Sequence, residues 1–291
     1  MNESPKISIV TPSFNQVDYI EHTILSVLNQ GYPNMEYIII DGGSTDGSLD
    51  IIKKYADKLA YWVSEPDAGM YDAINKGFSK STGEIFAWIN SDDVYFDDAI
   101  NIAADIFTKL PKIDWITGRC GYIDKRGNMI YKSKKKLYNQ ELLKNGFYRS
   151  PLSYVVNQNV VFWRRSLWEQ SGGCDISLKF AGDFVLWTKF AEFAELYFID
   201  HVFSAFRKHE LQITASPNNY LIESQPYINL STFALFEILL GKRYNGKELL
   251  VSRDGNYIIQ TECLNHTYIK PLFILKNLII SYIKRLISYK I

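Results

Sequence analysis

The chain has 291 residues, 47% hydrophobic and 15% aromatic, which suffices for one large core with an appendage. Lys+Arg and Asp+Glu are equal at 32 each, so there is no overall charge for binding nucleic acid. The charge is uneven along the chain, acidic before about residue 100 and basic after it, so the first part needs a divalent cation to hold phosphate.

Lys6-Ile7-Ser8-Ile9-Val10-Thr11-Pro12 reads as a first strand. Ser13-Phe14-Asn15-Gln16 is a turn, and Asp18 to Leu28 carries apolar residues at helical spacing. Met35 to Asp41 is nearly all apolar, as a parallel strand covered on both faces requires. The loop Gly42-Gly43-Ser44-Thr45-Asp46-Gly47 follows it, without the G-x-G-x-x-G register of a dinucleotide loop. Ser48 to Lys58 reads as a helix, Tyr61 to Ser64 as a strand and Tyr71 to Ser79 as a helix. Strand and helix alternating at this spacing predict a doubly wound α/β fold.

The next strand, Phe86-Ala87-Trp88-Ile89, runs into Asn90-Ser91-Asp92-Asp93. Its end lies where open α/β sheets bind ligands. Adjacent carboxylates repel unless a cation or solvent screens them, and Mg²⁺ or Mn²⁺ suits such an oxygen cluster. A strand end leading to a helix cap through Asp97 and Asp98 is the competing reading, and these residues alone leave both open. Asp41 likewise suits either a ribose or base acceptor or an Asx-turn.

Beyond residue 100 the pattern gives a helix, a strand from Ile113 to Gly118, and a hairpin from Tyr122 to Tyr131 turning at Asp124–Asn128. Lys132 to Lys136 reads as a solvated basic run. Asn157 to Phe162 is expected as a short strand and Arg164 to Ser171 as a helix. Asp183 precedes an amphipathic helix, where it is an ordinary N-cap. After residue 215 the expectation is a helical extension, with helices at 230–240 and 268–291. The second is basic and free of acids, with Leu275, Ile279, Ile283 and Ile287 on one face. It suits an anionic membrane surface or a docked core helix.

Four segments together resemble family 2 glycosyltransferases: Ser8–Asn15, Ile39–Gly47, Ser64–Gly77, and Thr82-Gly83-Glu84 leading into Asn90-Ser91-Asp92-Asp93. The resemblance implies the GT-A fold over residues 1–215, with 216–291 as the extension. It implies an inverting enzyme that moves a hexosyl or N-acetylhexosaminyl group from a nucleotide-diphosphate-sugar, expected to be a UDP-sugar. The acceptor is expected to be a saccharide or lipid-linked saccharide in cell-surface polysaccharide assembly. Thr11, Pro12, Asp41 and Asp67 are implied to bind the nucleoside, with Asp72, Asn75 and Asp92 toward the sugar and diphosphate. Mn²⁺ or Mg²⁺ is implied at Asp92 and Asp93. Asn90 stands at the first position of the family's Asp-x-Asp, so which Asp is the main ligand stays open.

The same resemblance makes Asp183 the catalytic base, ionised by the helix dipole. Gly182 stands there where many relatives carry Glu. Arg207-Lys208-His209 resembles the family's Arg-x-His, whose His can complete the metal shell. A sugar-nucleotide nucleotidyltransferase would need a basic Gly-rich loop in place of Thr11–Asn15, and an Asp-nucleophile phosphatase would need carboxylates at Thr11 and Ser13. A non-catalytic membrane module leaves Asp92, Asp93 and Asp183 unexplained. Cys120, Cys174 and Cys263 are dispersed and odd in number, which argues against disulfides or zinc. No signal peptide or spanning run is visible, so a cytoplasmic protein, peripheral on the membrane at most, is expected.

Overall fold

The structure is a computed structural model that describes residues 4–149, 155–210, 212, 217–229, 244–251 and 255–264. Strands β1 (Ile7–Ser13), β2 (Met35–Asp41), β3 (Tyr61–Ser64) and β4 (Ile85–Trp88) run parallel in the order β3-β2-β1-β4. Every residue of β1 and β4 is buried, as helices on both faces of a sheet demand. The connections are α1 (Ile20–Leu28), α2 (Ser48–Lys54) and α3 (Met70–Lys80). The carboxyl ends of these strands therefore share one edge.

The chain continues through β5 (Val94–Tyr95), α4 (Ala99–Lys109), β6 (Trp115–Ile123), β7 (Met129–Lys132) and α5 (Gln140–Lys144). Then come β8 (Phe162–Arg164), α6 (Arg165–Ser171), α7 (Gly182–Phe193) and β9 (Leu196–Arg207). Strand β8 is antiparallel to both β4 and β6, so β6 points the same way as β4. Strand β9 is parallel to β6, and its end at Arg207 reaches the same edge.

Aromatic packing sets the position of α7. Trp187 stacks on Trp88 at 5.7 Å and Trp163 meets Trp88 edge-on at 5.6 Å. Asp183 lies one turn before Trp187 on the same helix face. The stack thus anchors Asp183 to the strand that leads to Asp92.

Several expectations need correction. Residues 158–160 form a 3-10 turn, and the strand begins only at Phe162, because Gln158 turns its side chain to the Trp88 carbonyl at 2.6 Å. The helix from Ser48 stops at Lys54, and a 3-10 turn covers Ala56–Lys58. Beyond 215 the described residues are not purely helical. After α8 (Pro217–Ser224), β10 (Tyr244–Val251) and β11 (Tyr257–Leu264) form a hairpin that extends the main sheet beside β9. Lys135 ties the hairpin down, with its ammonium 2.8 Å from Glu262 and hydrogen-bonded to buried Glu248 at 2.5 Å. The basic run is accordingly split: Lys132 and Lys134 are exposed, whereas Lys135 is paired and Lys136 reaches Asn157 at 3.3 Å. The helices expected at 230–240 and 268–291 lie outside the described residues.

Helix α3 lies so close to β1 that a Cβ at Gly77 would stand 2.4 Å from Val10 Cγ1. Gly77→Ala gains about 1 kcal/mol of helix propensity but overpacks a rigid β-branched side chain. A net loss of about 1–2 kcal/mol is expected, seen as a lower urea midpoint at unchanged slope. A net gain in stability would show that α3 can lift off β1.

Candidate active site

Strand β4 ends at Trp88, and Asn90–Asp93 turn outward before β5, with Asp93 N–H bonded to the Asn90 carbonyl at 3.1 Å. The turn sends the two carboxylates in opposite directions. Asp92 Oδ2 lies 3.0 Å from His209 Nε2, at the end of β9. Asp93 is 1% exposed and accepts the backbone N–H of Arg207 at 2.9 Å. Burial, with the Asp92 charge beside it, pushes the Asp93 carboxyl well above the carboxylate range. The two acids thus have different surroundings, Asp92 half-buried beside His209 and Asp93 buried, with its Oδ2 lacking a hydrogen-bond partner among the described residues. The helix-cap position falls instead on Asp98, ahead of α4.

Arg207 connects these groups. Its Nε donates to the Asp92 carbonyl at 2.7 Å, and Nη2 donates to His22 Nδ1 at 2.9 Å. Its Nη1 reaches the carbonyls of Asp124 and Lys125, in the turn between β6 and β7. Its guanidinium lies over the Tyr19 ring, which is 4.6 Å from the His209 ring.

Asp92 and His209 fit a divalent cation, since a carboxylate and an imidazole stand side by side at the strand edge. The buried Nδ1 of His209 has no hydrogen-bond partner among the described residues. No group of three or more His, Cys, Asp or Glu converges on a metal position among the described residues, so further ligands have to come from substrate or water.

The residues expected to face the nucleoside divide into two kinds. Thr11, Pro12 and Asp41 are buried. The Thr11 hydroxyl lies 3.1 Å from that of Tyr37. The Asp41 carboxylate accepts from Gly43 N, Ser44 N, Ser44 Oγ and Ser64 Oγ, which is the Asx-turn reading carried further. Asp41 thereby holds the start of the Gly42–Gly47 loop. Asp67 is partly exposed, and its Oδ2 would be 2.8 Å from a Cβ at Gly42, so only glycine admits it there.

On α3, Asp72 accepts from Ala68 N at 3.0 Å and pairs with Lys76 at 3.2 Å. Asn75 uses both ends of its amide on the backbone of Cys174, at 2.9 and 3.1 Å. It clamps the loop that leads to Asp183.

Asp183 is not the N-cap. Helix α7 starts at Gly182, and Asp183 sits in its first turn with Oδ1 accepting from Phe184 N at 2.7 Å. Nor does the helix end keep it fully ionised: burial outweighs the backbone bonds and raises its pKa to about 6. Tyr71 supplies part of that burial, with its hydroxyl accepting from Asp183 N at 3.3 Å. A Cβ at 182 would stand 2.6 Å from the Tyr71 ring, so no side chain fits beside it.

The family model for "Glycosyl transferase family 2" matches residues 8–170. An uncharacterized glycosyltransferase of Rickettsia typhi is 33% identical over 224 residues, covering 76% of this chain and 69% of the relative. The chain belongs to glycosyltransferase family 2. It is also similar to the putative teichuronic acid biosynthesis glycosyltransferase TuaG of Bacillus subtilis, 38% identical over 102 residues, or 34% of this chain and 40% of TuaG. Staphylococcus aureus TarS, residues 1–349 in complex with UDP-GlcNAc, superposes with a TM-score of 0.60 at 18% identity, over 79% of this chain and 66% of that one. The mannosyltransferase PcManGT of Pyrobaculum calidifontis, in complex with GDP-Man and Mn²⁺, gives 0.58 at 18% identity, over 84% and 66%. These likenesses show the GT-A fold.

The surroundings of Asp183 include residues that no sequence motif marked. Glu223 of α8 accepts from the backbone N–H groups of Lys179 at 2.9 Å, Phe180 at 2.7 Å and Ala181 at 3.0 Å, just ahead of α7. Arg149 holds α8 through Ser224 Oγ at 2.6 Å and the Leu221 carbonyl at 3.2 Å. A boundary at residue 215 therefore cuts through the surroundings of Asp183. Nothing periodic marks Glu223 in the sequence, because its partners are backbone groups more than 40 residues away. Glu223→Ala leaves three amides without this acceptor. Hydrogen exchange at residues 179–181 is expected to accelerate by at least about tenfold, equivalent to about 1.4 kcal/mol of lost protection. Unchanged exchange there would mean that the loop holds itself.

Proposed function

We propose that this family 2 glycosyltransferase moves a sugar from a UDP-sugar to a saccharide hydroxyl with inversion, during assembly of a cell-surface polysaccharide on a lipid-linked acceptor. The observation that carries the reading is Asp183, a carboxylate raised to about 6 at the start of a helix anchored to the β4 edge. Such a group is ionised at neutral pH yet basic enough to take a proton. The assignment of TuaG to teichuronic acid biosynthesis supports a polysaccharide product, and the UDP-GlcNAc bound to TarS supports a uridine donor.

The nucleoside lies against the Gly42–Gly43 loop, which Thr11, Pro12 and Asp41 shape from behind and Asp67 faces. Asp72 and Asn75 fix the α3 end of the crevice toward the sugar and diphosphate. Asp183 removes the proton of the acceptor hydroxyl as that oxygen attacks the anomeric carbon. The bond from that carbon to the diphosphate oxygen breaks, and the nucleoside diphosphate leaves with the electron pair. Asp92 and His209 would hold a divalent cation, Mn²⁺ or Mg²⁺, which supplies charge neutralisation for the leaving diphosphate when bound. Asp93 acts from the interior, holding the Arg207 backbone and with it the end of β9 that leads into His209.

Three measurements test this reading. Asp183→Asn keeps the shape and loses the base, so transfer should fall by on the order of a hundredfold while donor binding survives. Near wild-type turnover would assign the base elsewhere. In the wild type, transfer should decline as pH drops through about 6, since protonation removes the base, and this acidic limb should vanish in the variant. Calorimetric donor binding should require Mn²⁺ or Mg²⁺ and be weakened severely by Asp92→Ala; equal affinity in chelator would refute the metal assignment.

A further inference from the structure

The hairpin formed by β6 and β7 presents a surface that sugar transfer does not explain. Met129, Ile130 and Tyr131 are consecutive and exposed by 42%, 51% and 45%. Because strand side chains alternate, both faces of β7 offer apolar groups to solvent. Lys125, Arg126, Lys132 and Lys134 surround them, all exposed, and none makes an ion pair among the described residues. The acid of the turn, Asp124, is taken up locally by Arg126 N, Asn128 N and Asn128 Nδ2. Tyr131 stacks on Tyr122 at 4.3 Å, and the Lys208 ammonium lies 4.8 Å from the Tyr131 ring centre.

We propose that this hairpin is a membrane contact, with Met129, Ile130 and Tyr131 entering the headgroup boundary of an anionic lipid surface and the five basic side chains meeting its charge. Aliphatic Met129 and Ile130 have no polar handle for a sugar. Tyrosine with a lysine above it is the amphipathic kind of group that settles at a membrane–water boundary. Charge complementarity selects anionic over neutral lipid. Among the described residues no helix is long and apolar enough to cross a membrane, so the contact is on the surface.

The position of the hairpin makes the contact useful. Its turn is held by Arg207, which also holds the Asp92 carbonyl. Strand β6 ends at the edge where the site lies, so docking the hairpin brings that edge to the lipid. This deepens the lipid-linked acceptor of the proposed function and rests on it only for its purpose; the lipid contact itself is measured without catalysis.

The test is sedimentation of the full chain with phosphatidylcholine vesicles, with and without phosphatidylglycerol. Binding is expected only with phosphatidylglycerol, and should weaken as salt rises. Ile130→Glu should lower the partition coefficient by at least about tenfold. Lys132→Ser with Lys134→Ser should lower it by roughly fivefold per charge. Both are at exposed positions, and thermal unfolding checks each fold; should Ile130→Glu unfold, the lysine pair tests the same surface. Absence of wild-type binding, or binding equal in the variants, overturns the proposal. Hairpin-dependent binding of a soluble oligogalacturonate without vesicle binding would also overturn it, assigning the surface to an acidic saccharide. Asp183→Asn should bind vesicles as the wild type does, so a failed base assignment and a failed membrane contact are told apart.

Discussion

An arginine that is 1% exposed must have its guanidinium answered by polar groups around it, because an unpaired buried charge is far more costly than a paired one. Arg207 meets that constraint with the backbone of Asp92, the imidazole of His22, two carbonyls of the hairpin turn and the face of Tyr19. The Arg207 charge favours ionisation of Asp93 beside it, but burial and the Asp92 charge are the larger effects and hold the Asp93 carboxyl above the carboxylate range. The ends of β4 and β9, the β6–β7 turn and α1 are consequently fixed relative to one another. The Asp92–His209 pair inherits its geometry from this hidden network.

The parallel half of the fold was legible because its signals are local. Apolar runs, glycine loops and helical spacing mark β1 to β4 and α1 to α3, and the boundaries fall within a few residues of those read from periodicity. The 3-10 turn at 158–160 was not legible, since a side-chain bond from Gln158 to the Trp88 carbonyl decides it across 70 residues. Strands β10 and β11 escaped for a similar reason. Lys135 and its two glutamates hold that hairpin to the sheet from more than 100 residues away.

At the site, motifs marked positions but not the direction in which side chains point. Asp92 and Asp93 are adjacent in the chain, yet the turn gives one to the cleft and the other to the interior. Asp41 and Asn75 stand in motifs expected to meet substrate, yet their oxygens and nitrogens bind the protein's own backbone. Those bonds hold the loops that follow Asp41 and precede Asp183 in shape. Asp183 shows the opposing forces most clearly: the helix end favours the anion, while the Tyr71 side of the cleft withdraws water from it. Burial is the larger effect, and it yields a stronger base than a solvated capping carboxylate would be.

Tyr71 and Gly182 have a consequence for how this chain could have diverged. With the Tyr71 ring 2.6 Å from where a Cβ at 182 would be, the two positions are not free to change independently. Placing any side chain at 182 requires first a smaller residue at 71, at the expense of the wall beside Asp183. A lineage with glycine at 182 is thus held there by an aromatic ring 111 positions earlier in the chain. A change at 182 made before one at 71 meets a steric barrier, whereas the reverse order leaves the route open.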